Sequence, residues 1–195
     1  MNLYIVRHGE TEANIANLVC GQMDTPLTIN GIEQAKKLSN RLKLIDFDYC
    51  YTTPLQRAYR TAELVYPSGV FTQVNALMET DTGDTSNWTV EKLYEFDHRY
   101  KFHGINYDLK YPNGESIFDL FQRTIDWLNH LFKNNMGEKN ILIVGHGGTV
   151  NSILHHLLSV PMRLYPAFNV KNATYAKIHC DLDKNLNRLL DFNKR

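Results

Sequence analysis

Two His-Gly pairs, His8-Gly9 and His146-Gly147, each stand where a short apolar run stops. The first run reads Leu3-Tyr4-Ile5-Val6 and leads into Arg7-His8-Gly9. The second reads Ile141-Leu142-Ile143-Val144 and leads into Gly145-His146-Gly147-Gly148. Both runs have the character of buried strands. In open α/β sheets, ligands bind outside the carboxyl ends of the strands, so two imidazoles delivered to that edge can face one another across one pocket. Arg7 adjoins the first of them, and a guanidinium offers planar, bidentate donors whose charge is permanent. The other histidines do not suggest a metal centre. His155 and His156 are adjacent and would point about 100° apart on a helix, no HExxH motif is present, and His130 and His179 are isolated. No metal and no cofactor are expected.

Positioning such groups requires strands and helices in alternation. After residues 3–6, the stretch Leu27-Thr28-Ile29-Asn30-Gly31 precedes a helical pattern carrying Ile32, Ala35, Leu38 and Leu42 on one side. Thr28 or Asn30 would cap it, with Glu33 completing a capping box. Residues 47–53 read as a second strand stopped by Pro54, residues 55–66 as a helix closed by Pro67-Ser68-Gly69, and residues 70–74 as a weaker strand. Residues 116–132 carry a helical stripe, residues 141–144 a strand, and a helix runs on to about Leu158. Residues 175–180 and 189–192 read as the last two strands. This alternation predicts an α/β fold, a three-layer α/β/α sandwich with a mostly parallel central sheet.

The totals bound the rest. With 195 residues the chain is sized for one domain. Lys plus Arg and Asp plus Glu are both 21, so no strong overall field draws it to nucleic acid or a membrane, and neither is an expected partner. Cys20, Cys50 and Cys180 are odd in number and widely spaced, which points to reduced thiols. No targeting signal or long apolar window is seen, and the expected location is the cytoplasm. Oligomeric state is not legible.

The motifs, taken in order, resemble the histidine phosphatase superfamily, the phosphoglycerate mutase-like family, over nearly the whole chain. They are Arg7-His8-Gly9-Glu10-Thr11-Glu12-Ala13-Asn14; Asp24-Thr25-Pro26-Leu27-Thr28 with Gly31; Thr53-Pro54-Leu55-Gln56-Arg57-Ala58 with Thr61-Ala62; and Leu77-Met78-Glu79 with Gly83-Asp84 and Trp88. Pro112-Asn113-Gly114-Glu115-Ser116 and Val144-Gly145-His146-Gly147-Gly148 follow. The resemblance implies a single domain over 1–195, with a cap-like excursion around 80–115. It also implies a small-molecule phosphate ester as partner.

The residue types suit that chemistry. A phosphate monoester carries roughly −1.5 to −2 charge at pH 7, which Arg7, Arg57 and, if protonated, His146 would meet without Mg²⁺. His8 is the expected nucleophile, forming a phosphohistidine. Glu79 is the expected proton donor and acceptor, with Asp81, Glu10 and Glu12 as competitors. By resemblance, Asn14, Cys20, Gly21 and Gly147 line the phosphate site. Asn14 also reads as a helix or turn residue, and Cys20 as a small filler.

Two departures separate this chain from the mutases of that family. Glu79 is followed by Thr80-Asp81-Thr82-Gly83-Asp84 rather than by an Arg-containing Tyr-Gly motif. In place of a tandem-arginine insertion the middle segment offers only Arg99 and Lys101. A phosphatase is therefore expected, with a mutase and an inactive phospho-ligand binding module as alternatives. Residues 94–111 interleave Tyr94, Phe96, Tyr100, Phe102, Tyr107 and Tyr111 with basic side chains. They form either a lid reading the organic part of a substrate or an excursion packed on the domain.

Overall fold

The computed structural model of the chain describes residues 1–134 and 137–194. Its strands are β1 (Asn2–Arg7), β2 (Tyr49–Thr52), β3 (Phe71–Gln73), β4 (Asn140–Gly145), β5 (Tyr175–Asp181) and β6 (Leu186–Lys194). They form one sheet in the order β3-β2-β4-β1-β5-β6. The β3–β2, β2–β4 and β4–β1 pairs are parallel, whereas β5 and β6 close one edge antiparallel.

Side-chain alternation in the central strands divides the core in two. Leu3, Ile5, Ile141 and Ile143 point to one face, where they meet α5 (Ile117–Asn134) and α6 (Gly147–Leu157) through Leu128, Ile153 and Leu154. Tyr4, Val6, Leu142 and Val144 point to the other, against α2 (Ile29–Leu42) and α3 (Gln56–Val65) through Leu38, Ala62 and Val65. Burial on both faces explains why these strands are apolar throughout rather than alternating in sequence. The three-layer sandwich is the one the sequence predicts.

Local differences from the expected elements have physical causes. β2 is shorter than residues 47–53: Asp48, just before it, is tied to the start of β4 by its carboxylate, which accepts from Asn140 N at 2.9 Å and Lys139 Nζ at 2.8 Å. Thr53 is lost to the sheet before Pro54 and uses its hydroxyl elsewhere. Thr28 does cap α2, receiving the Gly31 amide at 2.9 Å, but no box forms with Glu33, because Asn30 lies inside the helix and donates to Glu10. The capping box appears instead at the short α1 (Glu12–Ile15), between Thr11 and Asn14.

Residues 80–115 carry α4 (Val90–Phe96), two 3₁₀ turns and a small core of their own. Leu93, Tyr100 and Tyr111 are buried there with Val19, and Tyr100 stacks on Tyr111 at 4.8 Å. Backbone hydrogen bonds from Val19 to Trp88 and from Asn87 to Val19 tie this segment to the loop after β1. Among the described residues, no helix is long and apolar enough to cross a membrane.

Candidate active site

Sheet register brings the two His-Gly pairs together. In the β1–β4 ladder Val6 lies opposite Val144 and Arg7 opposite Gly145, so the next residues, His8 and His146, leave the same sheet edge side by side. Their ring centroids are 5.3 Å apart. β2 ends at the same edge, and α3 starts just after it with Arg57 in its first turn. Three parallel strand ends thus supply Arg7, His8, Arg57 and His146 to one place.

A cavity of about 640 Å³ opens over that edge. Arg7, His8, Asn14, Cys20, Gly21, Arg57, Glu79 and Gly147 all line it. His146 does not line it: the ring is 0% exposed and sits behind His8, whose exposure is 5%. Its Nε2 is 2.9 Å from Thr53 Oγ1, and its Nδ1 is buried without a partner among the described residues.

The His8 tautomer follows from its contact. Nδ1 is 2.7 Å from the Gly9 carbonyl, which can only accept, so Nδ1 carries the hydrogen and Nε2 keeps its lone pair. Burial, reinforced by Arg57 and Arg7, holds the His8 imidazole well below its ordinary proton affinity. His146 is lowered in the same way, by burial and then Arg57. These causes favour the neutral form of the ring.

The two arginines are held rigidly. Arg57, 2% exposed, donates through Nη1 to Met23 O at 2.7 Å and through Nη2 to Gly21 O at 2.6 Å. Gly21 has φ +51 and would press any Cβ into Thr82, so a side chain there would displace a carbonyl that anchors Arg57. Arg7 donates to Val170 O at 2.6 Å, while its Nε is buried with no partner among the described residues.

Glu79 is the carboxylate the cavity selects. Asp81 accepts from Gly83 N, Glu10 is engaged by Thr28 and Asn30, and Glu12 lies exposed on α1. Glu79 accepts from Thr80 N at 2.9 Å through Oε1 and from Gly148 N at 3.1 Å through Oε2, placing it at the N-terminus of α6. A Cβ on Gly148 would collide with that carboxylate and with Leu120, so the second glycine of the pair makes room for Glu79. The space in front of Gly147 is open apart from the Arg7 guanidinium.

Several residues that build the site were missed by the sequence reading. Arg123 on α5 donates to the carbonyls of Ala76, Met78 and Glu79 and pairs with Glu115 at 2.8 Å, fixing the loop that carries Glu79. Its signal was a cation three residues after Leu120, inside a core-facing stripe. Asn172 donates to Asn14 Oδ1 and to the carbonyls of His8 and Gly9. The wall formed by Tyr165, Phe168 and Val170 had no periodic signal. Asn151 holds it by accepting from Phe168 N and donating to Phe168 O.

The chain has relatives among known proteins. The profile of the histidine phosphatase superfamily (branch 1) matches residues 3–193. An adenosylcobalamin/α-ribazole phosphatase of Salmonella typhi is 32% identical, over 91% of this chain and 90% of that protein. The crystal structure of the α-ribazole phosphatase from Shigella flexneri superimposes with a TM-score of 0.88 at 30% identity, covering 100% of this chain and 96% of that one. A 2,3-bisphosphoglycerate-dependent phosphoglycerate mutase of Protochlamydia amoebophila is 28% identical over 80% of this chain and 85% of its own length. The chain belongs to the histidine phosphatase superfamily. Within it, it is a phosphatase.

Proposed function

We propose that the chain hydrolyses a small organic phosphate in two steps through a phosphohistidine on His8, without a metal ion. The observation that carries this reading is the His8 imidazole itself: neutral, with Nδ1–H committed to Gly9 O and Nε2 unprotonated beside two fixed guanidiniums. In the first step Nε2 bonds to phosphorus as the P–O bond to the alcohol breaks, and Glu79 gives its proton to the departing oxygen. In the second, water attacks phosphorus, the P–N bond breaks, and Glu79 takes the proton from that water. Inorganic phosphate then leaves with His8 and Glu79 restored. Arg7, Arg57 and the α6 N-terminus supply the positive field in which charge on the equatorial oxygens develops. Asn14, Cys20, Gly21 and Gly147 form the surrounding surface, and residues 80–115 act as the cap over it. His146 supports the His8 ring from behind and is itself held by its contact with Thr53.

The names of the relatives put α-ribazole phosphate first among esters to assay. Mutase-type transfer is the second reading, favoured by the relative of that name. Against it, the Arg99 guanidinium is forked onto Asp97 at 2.6–3.0 Å, and neither Arg99 nor Lys101 lines the cavity. A cytoplasmic setting suits the unpaired Cys20, Cys50 and Cys180.

The test is an assay of phosphomonoesters in EDTA, with acid-quenched samples checked for acid-labile phosphoprotein. Wild type should turn over at least one ester, and His8→Ala should lose about 10⁴-fold or more together with the phosphoprotein. Isomerisation of a phosphoglycerate without hydrolysis of any ester would hand the case to the mutase reading.

A further inference from the structure

Asn14 lines the cavity with an exposed carboxamide, a group whose two ends are chemically opposite towards an anion. Its partners decide which end goes where. The Thr11 amide, which can only donate, lies 3.2 Å from one end of the Asn14 side chain, so that end is Oδ1. Asn172 Nδ2 donates to the same oxygen at 3.1 Å. That end of Asn172 is the NH2 group because it also faces the His8 carbonyl at 3.1 Å and the Gly9 carbonyl at 3.3 Å, which can only accept. Two donors thus occupy Asn14 Oδ1, and its NH2 end is the part left to meet a phosphoryl oxygen.

Asn172 does not itself line the cavity. It is held behind Asn14 by a sharply turned stretch of chain. Ala173 has φ +45, uncommon for a residue with a Cβ, and is 0% exposed. Its amide lies 3.0 Å from Arg7 O and 3.1 Å from His8 O, while the Arg7 amide donates to Thr174 O at 3.2 Å. The Lys171 amide donates to Asn193 Oδ1, on β6, at 2.9 Å. The turn is therefore laced to residues 7–9 on one side and to the edge of the sheet on the other. Gly9 O, which Asn172 grips, is also the acceptor of His8 Nδ1 at 2.7 Å.

On the basis of the phosphatase reading above, we infer that Asn172 is a positioning residue for the phosphoryl group: it keeps the Asn14 amide turned donor-first and steadies the Gly9 carbonyl against which the His8 ring is set. A flipped Asn14 would press its NH2 against the Thr11 N–H and the Asn172 NH2, and would offer an oxygen to an anion. Asn172 removes that alternative, because both of its neighbours in the network demand an acceptor from Asn14 or a donor from itself.

Calorimetric titration with inorganic phosphate tests this without turnover, with melting temperature followed in parallel. Asn172→Ala and Asn14→Ala should each weaken phosphate binding about tenfold, and the double variant no more than about 20-fold. The second change then removes a contact whose object is already gone. Where Asn172→Ala does not fold, Asn172→Ser, whose short side chain cannot span to Asn14, takes its place in the cycle. Losses that multiply to about 100-fold would overturn the inference. An Asn172 variant that lowers only the melting temperature, or a wild type that binds no phosphate, would overturn it as well. Ester hydrolysis by wild type is read separately. Hydrolysis with multiplying losses refutes the role of Asn172 and leaves the phosphatase reading standing; coupled losses without hydrolysis of any ester do the reverse.

Discussion

The floor and the outer wall of the cavity are built on opposite principles. On the floor, the side chains that face the phosphate end are tied by short, directional contacts to strand ends and loop carbonyls: His8 to Gly9, Arg57 to Gly21 and Met23, Glu79 to Thr80 and Gly148. In the outer wall, Leu93, Tyr94 and Tyr111 are placed by packing in a small core of their own. Fixed donors suit a step in which the same charge develops on every substrate. A packed wall suits the part of the substrate that differs between relatives. Chemistry and selectivity are thus separable, and each can be disturbed without the other.

Arg57→Ala strikes the floor hardest. It removes one of two guanidiniums, strips the Gly21 carbonyl of its donor and leaves the Met23 carbonyl with only the weak Cys20 thiol. Turnover of every ester should fall about 10³-fold, with a stability loss of about 2 kcal/mol from the unpaired carbonyls. The separation of floor from wall breaks if the loss depends strongly on the organic body of the ester, measured as kcat/KM across the panel. Arg123→Ala comes next. Arg123 is absent from the cavity lining, yet it holds three carbonyls of the Glu79 loop and Glu115. We expect kcat to fall about 10–100-fold with KM little changed, and Arg123→Lys to restore little, because an ammonium cannot reproduce the fork. A rise in KM alone would show that Arg123 serves the wall instead.

The same division governs what the sequence discloses. His8 and His146 are legible because a strand followed by His-Gly is a local pattern, and parallel pairing of two such strands aligns them. Arg57 is legible for a similar reason, as it enters α3 just past β2. Glu79 stands out less clearly, since four carboxylates compete in sequence and only the amides of Thr80 and Gly148 single it out in space. The wall at residues 165–170 is illegible: it is irregular chain fixed by Asn151 and by His155, whose Nε2 accepts from Ala167 N, and neither contact leaves a periodic trace. Residues 94–111 divide between the two readings given to them. Tyr100 is buried in the local core, Tyr94 and Tyr111 face the cavity, and Phe96 and Phe102 are exposed.

A smaller effect concerns pH. His8 and His146 both have proton affinities lowered in the folded chain by burial and the two arginines, so at mildly acid pH the unfolded chain binds more protons at these positions. Their contribution to stability is therefore full above the unfolded imidazole pKa of about 6.5 and is lost as pH falls below it. The melting temperature should drop by several degrees between about pH 7 and pH 5. Inorganic phosphate should oppose the drop, since a bound anion offsets the charge of the two arginines and stabilises the fold by mass action. A melting temperature flat over that range, or a drop that phosphate deepens, would show that the two imidazoles are not held neutral as described.

Cys20 should give the smallest effect, and it sits where floor and wall meet. It lines the cavity, but its thiol donates to Met23 O at 3.2 Å, the carbonyl that Arg57 also takes, and burial raises its pKa in spite of the nearby guanidinium. A thiol held in that form is a poor nucleophile and a weak ligand for phosphate. A serine hydroxyl can make the same bond to Met23, so Cys20→Ser should change kcat/KM less than about threefold on every ester, and iodoacetamide should label the native thiol slowly. A loss above about tenfold, uniform across esters, would move Cys20 into the phosphate site proper. A loss confined to some esters would extend the wall down to the Arg57 anchor and weaken the division between the two.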